Sequence, residues 1–319
     1  MIKRDTDMRS QQIVSCSRRE LLAGILISAG GLAGMTVDNS YIDAHVHIWT
    51  PDTVRYPRAP HYSGPSYEPA SFQPEELLSH ARPAGVGRIV LVQMSFYGTD
   101  NSYMLDAMAK YKPLFSGVAV VDHNAPGVEA EMLRLARLGV RGFRILPGAD
   151  GAGWLKKSGM SAMWRCGAEK GLAMSCLVNP EFLPSIDEMC QRFPDTPVVI
   201  DHLARIGADG PVRTQEVKAL CALARHKNVN VKVSAFYALG KKQFPYTDLT
   251  DLIHAVYESF GAQRLMWASD SPFQVQPPYT YQGSIDLIRN RLHFFTDEDR
   301  KWLLSKTAER LFFHSPTLE

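Results

Sequence analysis

The chain has 319 residues, 45% of them hydrophobic and 21% charged, so it can bury a large core. No stretch reaches the ~18 uninterrupted apolar residues of a membrane span. Residues 1–35 hold five basic and three acidic groups, which leaves 30 of each in the remainder. That remainder is formally neutral, shows no basic stripe, and gives no reason to expect nucleic acid as a partner.

The N-terminal segment stands apart. Lys3, Arg4 and Arg9 precede the twin arginine Arg18 and Arg19, and an apolar run follows from Leu21 to Ala33. Gly30, Gly31, Ala33 and Gly34 close the run with small residues. A charged start, a short apolar run and a small-residue exit make an export signal. The "SRRELL" wording is of the twin-arginine type, which moves proteins already folded. The expectation is a signal and linker over 1–36, a globular domain over 37–319, and delivery to the periplasm or the cell exterior. Cys16 leaves with the signal. Cys166, Cys176, Cys190 and Cys221 lack CxxC spacing, and the sequence alone does not pair them.

From residue 41 onward, apolar runs alternate with helical patterns. The strand candidates are 41–49, 87–94, 115–122, 140–147, 172–178, 197–204, 229–236 and 264–273. Most are continuous apolar runs, as parallel strands covered on both faces are. Between them the apolar period is about 3.6 residues. In "VEAEMLRLARLG", Met132, Leu135 and Leu138 share a face and Gly139 marks the stop. "TDLTDLIHAVYESFG" opens on Thr247 as N-cap and closes on Gly261. Eight strand–helix pairs with no large composition break predict a single (β/α)8 TIM barrel. The loop 50–74, with six prolines and several tyrosines, follows the first strand directly. Its expected role is a lid over the barrel mouth.

Such a barrel gathers its chemistry at the C-terminal strand ends. The polar residues falling there are His45 and His47, Gln93, Asp122 and His123, Arg144, Asp201 and His202, Lys232 and Ser234, and Asp270. His45 and His47 are two apart, so both point to one side of their strand. Two converging imidazoles suit zinc or a related divalent ion with one position left open for water. Asp270 is either the oxygen ligand or a general base on that water. The apolar setting of Arg144 in "GFRILPG" favours a guanidinium that holds a substrate carboxylate or an oxyanion. Lys232 is read as a substrate contact or as the partner of a buried carboxylate, and Gln93 and His123 are further substrate-binding candidates. No GxGxxG, P-loop or GxSxG pattern is present.

"DAHVHIW" (43–49), "VVIDHLAR" (198–205) and "WASDSPF" (267–273) together resemble the amidohydrolase superfamily. Within it they are similar to the amidohydrolase-related branch that includes 2-pyrone-4,6-dicarboxylate lactonase and sugar-lactone hydrolases. The resemblance covers residue 40 to the C-terminus and implies a TIM barrel that hydrolyses a small molecule at its strand ends. It matches His45 and His47 to the first-strand pair, Asp270 to the eighth-strand aspartate and His202 to the strand-six histidine. The chain departs from the pattern at strand five, which offers Cys176 instead of a histidine, and at strand four, which offers Arg144. These departures argue against a two-metal centre and leave open one divalent ion, zinc or manganese, or none. The implied activity is opening of a lactone by base-activated water, with Asp270, His45, His47 and His202 as the catalytic set. The alternatives are a metal-dependent decarboxylase of the same superfamily and a non-catalytic binding barrel.

Overall fold

The computed structural model describes residues 40–315 except 61, 63, 65–67 and 148–151, so the segment expected to be an export signal lies outside the described residues. The eight strands are β1 (Tyr41–Val46), β2 (Val86–Val92), β3 (Phe115–Ala119), β4 (Val140–Ile145), β5 (Ala173–Cys176), β6 (Val198–Ile200), β7 (Val229–Val233) and β8 (Leu265–Trp267). All pair in parallel, each with its neighbour in the chain. Helices α1 (Pro74–Ala81), α2 (Ser102–Lys110), α3 (Val128–Arg137) and α4 (Ser158–Lys170) follow β1 to β4. Helices α5 (Leu183–Arg192), α6 (Thr214–Ala222), α7 (Thr250–Phe260) and α8 (Tyr281–Asp286) follow β5 to β8. The alternation is that of the expected TIM barrel.

Two apolar layers hold it. Ile42, Ala44, Val90, Val92, Val118, Ala173, Val199 and Met266 fill the barrel interior, and Leu311 and Phe312 of the C-terminal helix join them. A larger layer, with Ile89, Leu91, Phe143, Trp164 and Trp267, packs the outside of the strands against the helices. Continuous apolar strands are required here because both strand faces are buried.

Closure between β1 and β8 is made by residues at the C-terminal strand ends. Asp270 N donates to the His45 carbonyl at 2.9 Å and His47 N donates to the Ser271 carbonyl at 2.8 Å. The buried Asp43 carboxylate accepts from Ser269 N at 2.9 Å, Tyr281 Oη at 2.7 Å and His45 N at 3.2 Å. Burial pushes the Asp43 carboxyl up to about 6, and these hydrogen bonds oppose that rise.

Several boundaries differ from the expectation. β3 ends at Ala119 and β8 at Trp267, earlier than the apolar runs that contain them. Leu138 lies beyond the end of α3 and is 52% exposed, because the chain turns at Gly139 with φ +102. Thr247 opens a single 3-10 turn, and the α7 helix starts three residues later. The described part of loop 50–74 lies against α2 and Phe96. Arg55 and Tyr56 bond Asp106, and Ala59 N donates to the Phe96 carbonyl. None of its described residues lines the cavity at the strand ends, so the expected lid is not seen among them.

Candidate active site

The strand pattern alone would put Asp43, His45 and His47 on one face. The β1–β2 register slips between Asp43 and Val46, and this irregularity separates them. Asp43 bonds Tyr281 of α8, outside the barrel, while His45 and His47 meet inside it. Their Nε2 atoms are 3.2 Å apart, and Asp270 Oδ1 lies 3.6 Å from His45 Nε2 and 3.3 Å from His47 Nε2. His47 Nδ1 is 2.7 Å from the Val92 carbonyl, which fixes the ring.

His202 arrives by an unusual backbone route. His202, Leu203, Ala204 and Arg205 all have positive φ, between 52 and 57, a left-handed turn without glycine. Each such residue costs roughly 1–2 kcal/mol, and such strain collects at functional sites. The turn aims His202 back over the barrel, its Nδ1 2.8 Å from Ser234 Oγ and its Nε2 3.7 Å from Asp270 Oδ2. Asp270 also has positive φ, at 62, and its Oδ2 accepts from Tyr237 Oη at 2.7 Å.

Behind the imidazoles lies a buried ion pair. Lys232 Nζ is 3.0 Å from Asp201 Oδ1 and 3.1 Å from His45 Nδ1, and both residues are fully buried. Burial lowers Lys232, and Asp201 opposes that drop. For Asp201 burial works upward, but Lys232 and His45 hold it well below the usual carboxylate range. Burial, then Lys232, pushes His45 well below the ordinary imidazole value, and burial likewise lowers His202. Burial also opposes ionisation of Asp270, yet the three histidines outweigh it and keep the carboxyl far below its usual range. Burial thus favours the neutral forms of His45 and His202, while Asp201 and Asp270 are held ionised.

A cavity of about 350 Å³ opens over this cluster, with His47, His202, Asp270, Tyr237 and Phe273 in its wall. Arg144, Arg205 and Lys242 line it as well, so Asp270 is the only anion among the lining residues. A larger cleft of about 600 Å³ opens at the other end of β7 and β8 around Arg264 and Trp302. It carries none of this chemistry.

Three expected substrate contacts lie elsewhere. Lys232 is sealed below His45 by its pairing with Asp201, which is the structural alternative of its two readings. The Gln93 side chain bonds the Asp100 carbonyl, while its own carbonyl accepts from Arg144 Nη1 at 3.1 Å. Gln93 thus steadies Arg144 and does not line the cavity. His123 lies four residues past the end of β3 and is not among the residues lining the cavity. Sequence reasoning missed Tyr237, Arg205 and Lys242. The tyrosine in "SAFY" just past β7 was the one legible signal, since the two cations depend on left-handed backbone.

The cluster fits a divalent ion. Tetrahedral ligands at about 2.0–2.2 Å from zinc sit roughly 3.4 Å from one another, close to the separations of His45 Nε2, His47 Nε2 and Asp270 Oδ1. Asp270 Oδ1 is buried without a hydrogen-bond partner. Cys176 at the strand-five position takes no part: it is buried, its Sγ faces the Met174 carbonyl, and burial raises the thiol well above its usual value.

Known proteins share this chain's pattern. It is 30% identical over 72% of its length to an L-fucono-1,5-lactonase of Burkholderia ambifaria, covering 80% of that protein. It is 27% identical to a 4-sulfomuconolactone hydrolase of Rhizobium radiobacter, over 72% of this chain and 75% of the relative. A solved Pseudomonas putida structure, assigned as a 2-pyrone-4,6-dicarboxylic acid hydrolase, superposes with a TM-score of 0.74 at 26% identity. That match covers 86% of this chain and 98% of the other. The amidohydrolase family model matches residues 42–313, and the chain belongs to that family.

Proposed function

We propose that the protein is a hydrolase that opens a lactone, or a closely related cyclic ester, of a small anionic or sugar-derived acid. The observation that carries this reading is the Asp270 carboxylate. It is ionised, its Oδ1 has no hydrogen-bond partner, and it stands in the wall of a cavity otherwise lined by cations and neutral groups. The three relatives named above all act, by name, on lactones or a pyrone, which supports the same class.

In this reading water adds to the lactone carbonyl carbon as Asp270 Oδ1 takes its proton. Tyr237, bonded to Oδ2, keeps the carboxylate turned toward the cavity. With Ser234 Oγ, 2.8 Å away, donating to Nδ1 in this reading, His202 presents its Nε2–H to the developing oxyanion. The ring C–O bond then breaks, and the leaving alkoxide recovers the proton from Asp270. Arg144, Arg205 and Lys242 draw and hold the acidic end of the substrate. A divalent ion held by His45, His47 and Asp270 would supply Lewis-acid polarisation of the carbonyl and acidify the water. Zinc or manganese is the proposed identity.

The test is Asp270→Asn on a panel of anionic and sugar lactones. Turnover is expected to fall by about 10²–10⁴-fold with the fold retained. Near-normal turnover in a folded variant would remove the mechanism. We also propose that residues 1–36 export the enzyme after folding, on the evidence of the twin arginine and its apolar run.

A further inference from the structure

The lining of the cavity over Asp270 is rich in donors and poor in acceptors. Three cations reach it from different strand ends: Arg144 from β4, Arg205 from the turn after β6 and Lys242 from the loop after β7. Lys242 Nζ gives one proton to the Ala208 carbonyl at 2.9 Å, and its two other protons can serve an anion. Much of the remaining wall is apolar, made by Leu177, Ala208, Ala235, Ala238, Leu239 and Phe273. The Phe273 ring stands 6.0 Å from the rings of both Tyr237 and His47. Among the described lining residues there is no Asn, Gln, Ser, Thr or Glu side chain. The polar tips of the neutral lining residues are turned to Asp270: Tyr237 Oη at 2.7 Å, His47 Nε2 at 3.3 Å and His202 Nε2 at 3.7 Å.

We propose that the substrate is a hydroxyl-poor lactone bearing a carboxylate, and that the cavity selects against polyhydroxylated, sugar-derived lactones. This rests on the hydrolase reading above and chooses between the two substrate types it admits. A carboxylate only accepts hydrogen bonds, so a wall with three cationic donors suits it. A sugar hydroxyl must also give its own proton to an acceptor, which Arg and Lys cannot be. Asp270 is an acceptor, but in the hydrolase reading it is engaged with the attacking water and with Tyr237. At about 350 Å³ the cavity is small for a ligand pocket, so ring substituents meet its wall. Hydroxyls set against Leu177, Leu239 or Phe273 would leave water without a side-chain partner, and each hydrogen bond left unmade weakens binding. A ring that carries hydrogen or a double bond at those positions loses nothing there.

Three lactone probes on the wild-type enzyme separate charge from hydroxylation. The γ-lactone of α-hydroxyglutarate carries one carboxylate and no hydroxyl, the monolactone of glucarate carries one carboxylate and several hydroxyls, and γ-valerolactone carries neither. The first should exceed the second in kcat/KM by at least about tenfold and up to about 10²-fold, the range in which an apolar pocket rejects an added hydroxyl. It should also exceed γ-valerolactone by at least about tenfold at low salt, as expected for a charged contact. Equal or better use of the glucarate lactone or of γ-valerolactone overturns the proposal and leaves the hydrolase reading standing. If none of the three is opened, the hydrolase reading falls, and calorimetry with the ring-opened acids decides the lining by itself. Tighter binding of α-hydroxyglutarate than of glucarate then supports the selection against hydroxyls, and equal or weaker binding overturns it.

Discussion

Replacing Arg205 by glycine should stabilise the protein while weakening its hold on an anionic lactone. Arg205 has φ 57, is exposed, and turns into the cavity without a hydrogen bond or ion pair of its guanidinium among the described residues. A non-glycine residue in the left-handed region costs roughly 1–2 kcal/mol. Glycine releases that strain but gives the unfolded chain more freedom, which takes back roughly 0.4–1 kcal/mol. The net gain is about 0.5–1 kcal/mol, and it appears cleanly as glycine against alanine at position 205, since both lack the guanidinium. Alanine keeps the strain; glycine does not. On the binding side, both variants lose a charged contact to the substrate. For so exposed a group this is about 1–2 kcal/mol, or roughly 5–30-fold in KM, and smaller at high salt.

The assays are denaturant midpoints for the two variants and KM for an anionic lactone at low and high ionic strength. If Arg205→Gly unfolds no later than Arg205→Ala, the left-handed turn is not strained as described. If both variants keep the wild-type KM at low salt, Arg205 does not meet the substrate. The two halves fail separately, which makes the substitution informative in either direction.

Burial lowers His202, so kcat/KM should stay flat through neutrality with any acid limb below about pH 6.5; a limb above that value would show a charged resting His202. Asp201 and Asp270 are also depressed, so their stabilisation is complete above the ordinary carboxylate range and drains as pH falls through their folded values. Cell fractionation tests export: exchanging Arg18 and Arg19 for lysine should leave the enzyme in the cytoplasm, and unchanged export would remove the twin-arginine reading.

The barrel was legible because its signal is repeated. Eight buried strands must each be apolar on both faces, and one misjudged end leaves the rest standing. The His45, His47 and Asp270 trio was legible for a related reason: a spacing of two fixes a shared face, and barrel closure brings β8 beside β1. What failed were inferences that needed to know where a strand stops. His123 was assigned to the mouth because "FSGVAVVD" is apolar almost to its end, yet hydrogen bonding in β3 finishes at Ala119.

Lys232 shows a different limit. Its place on an inward strand position was readable, but its role depends on what faces it from the turn after β6, and only three-dimensional closure reveals Asp201 there. A lysine at that depth without its aspartate would be expelled or neutralised, and an aspartate without its lysine would rise toward protonation. Each charge is therefore tolerable only because the other is present, and breaking such a pair costs about 3–5 kcal/mol. The pair is a poor source of net stability for the same reason, since desolvation offsets most of the attraction. Its more specific contribution is positional: Lys232 Nζ lies 3.1 Å from His45 Nδ1 and 3.0 Å from Asp201 Oδ1, so the pair packs directly beneath the imidazole and fixes what that ring rests on.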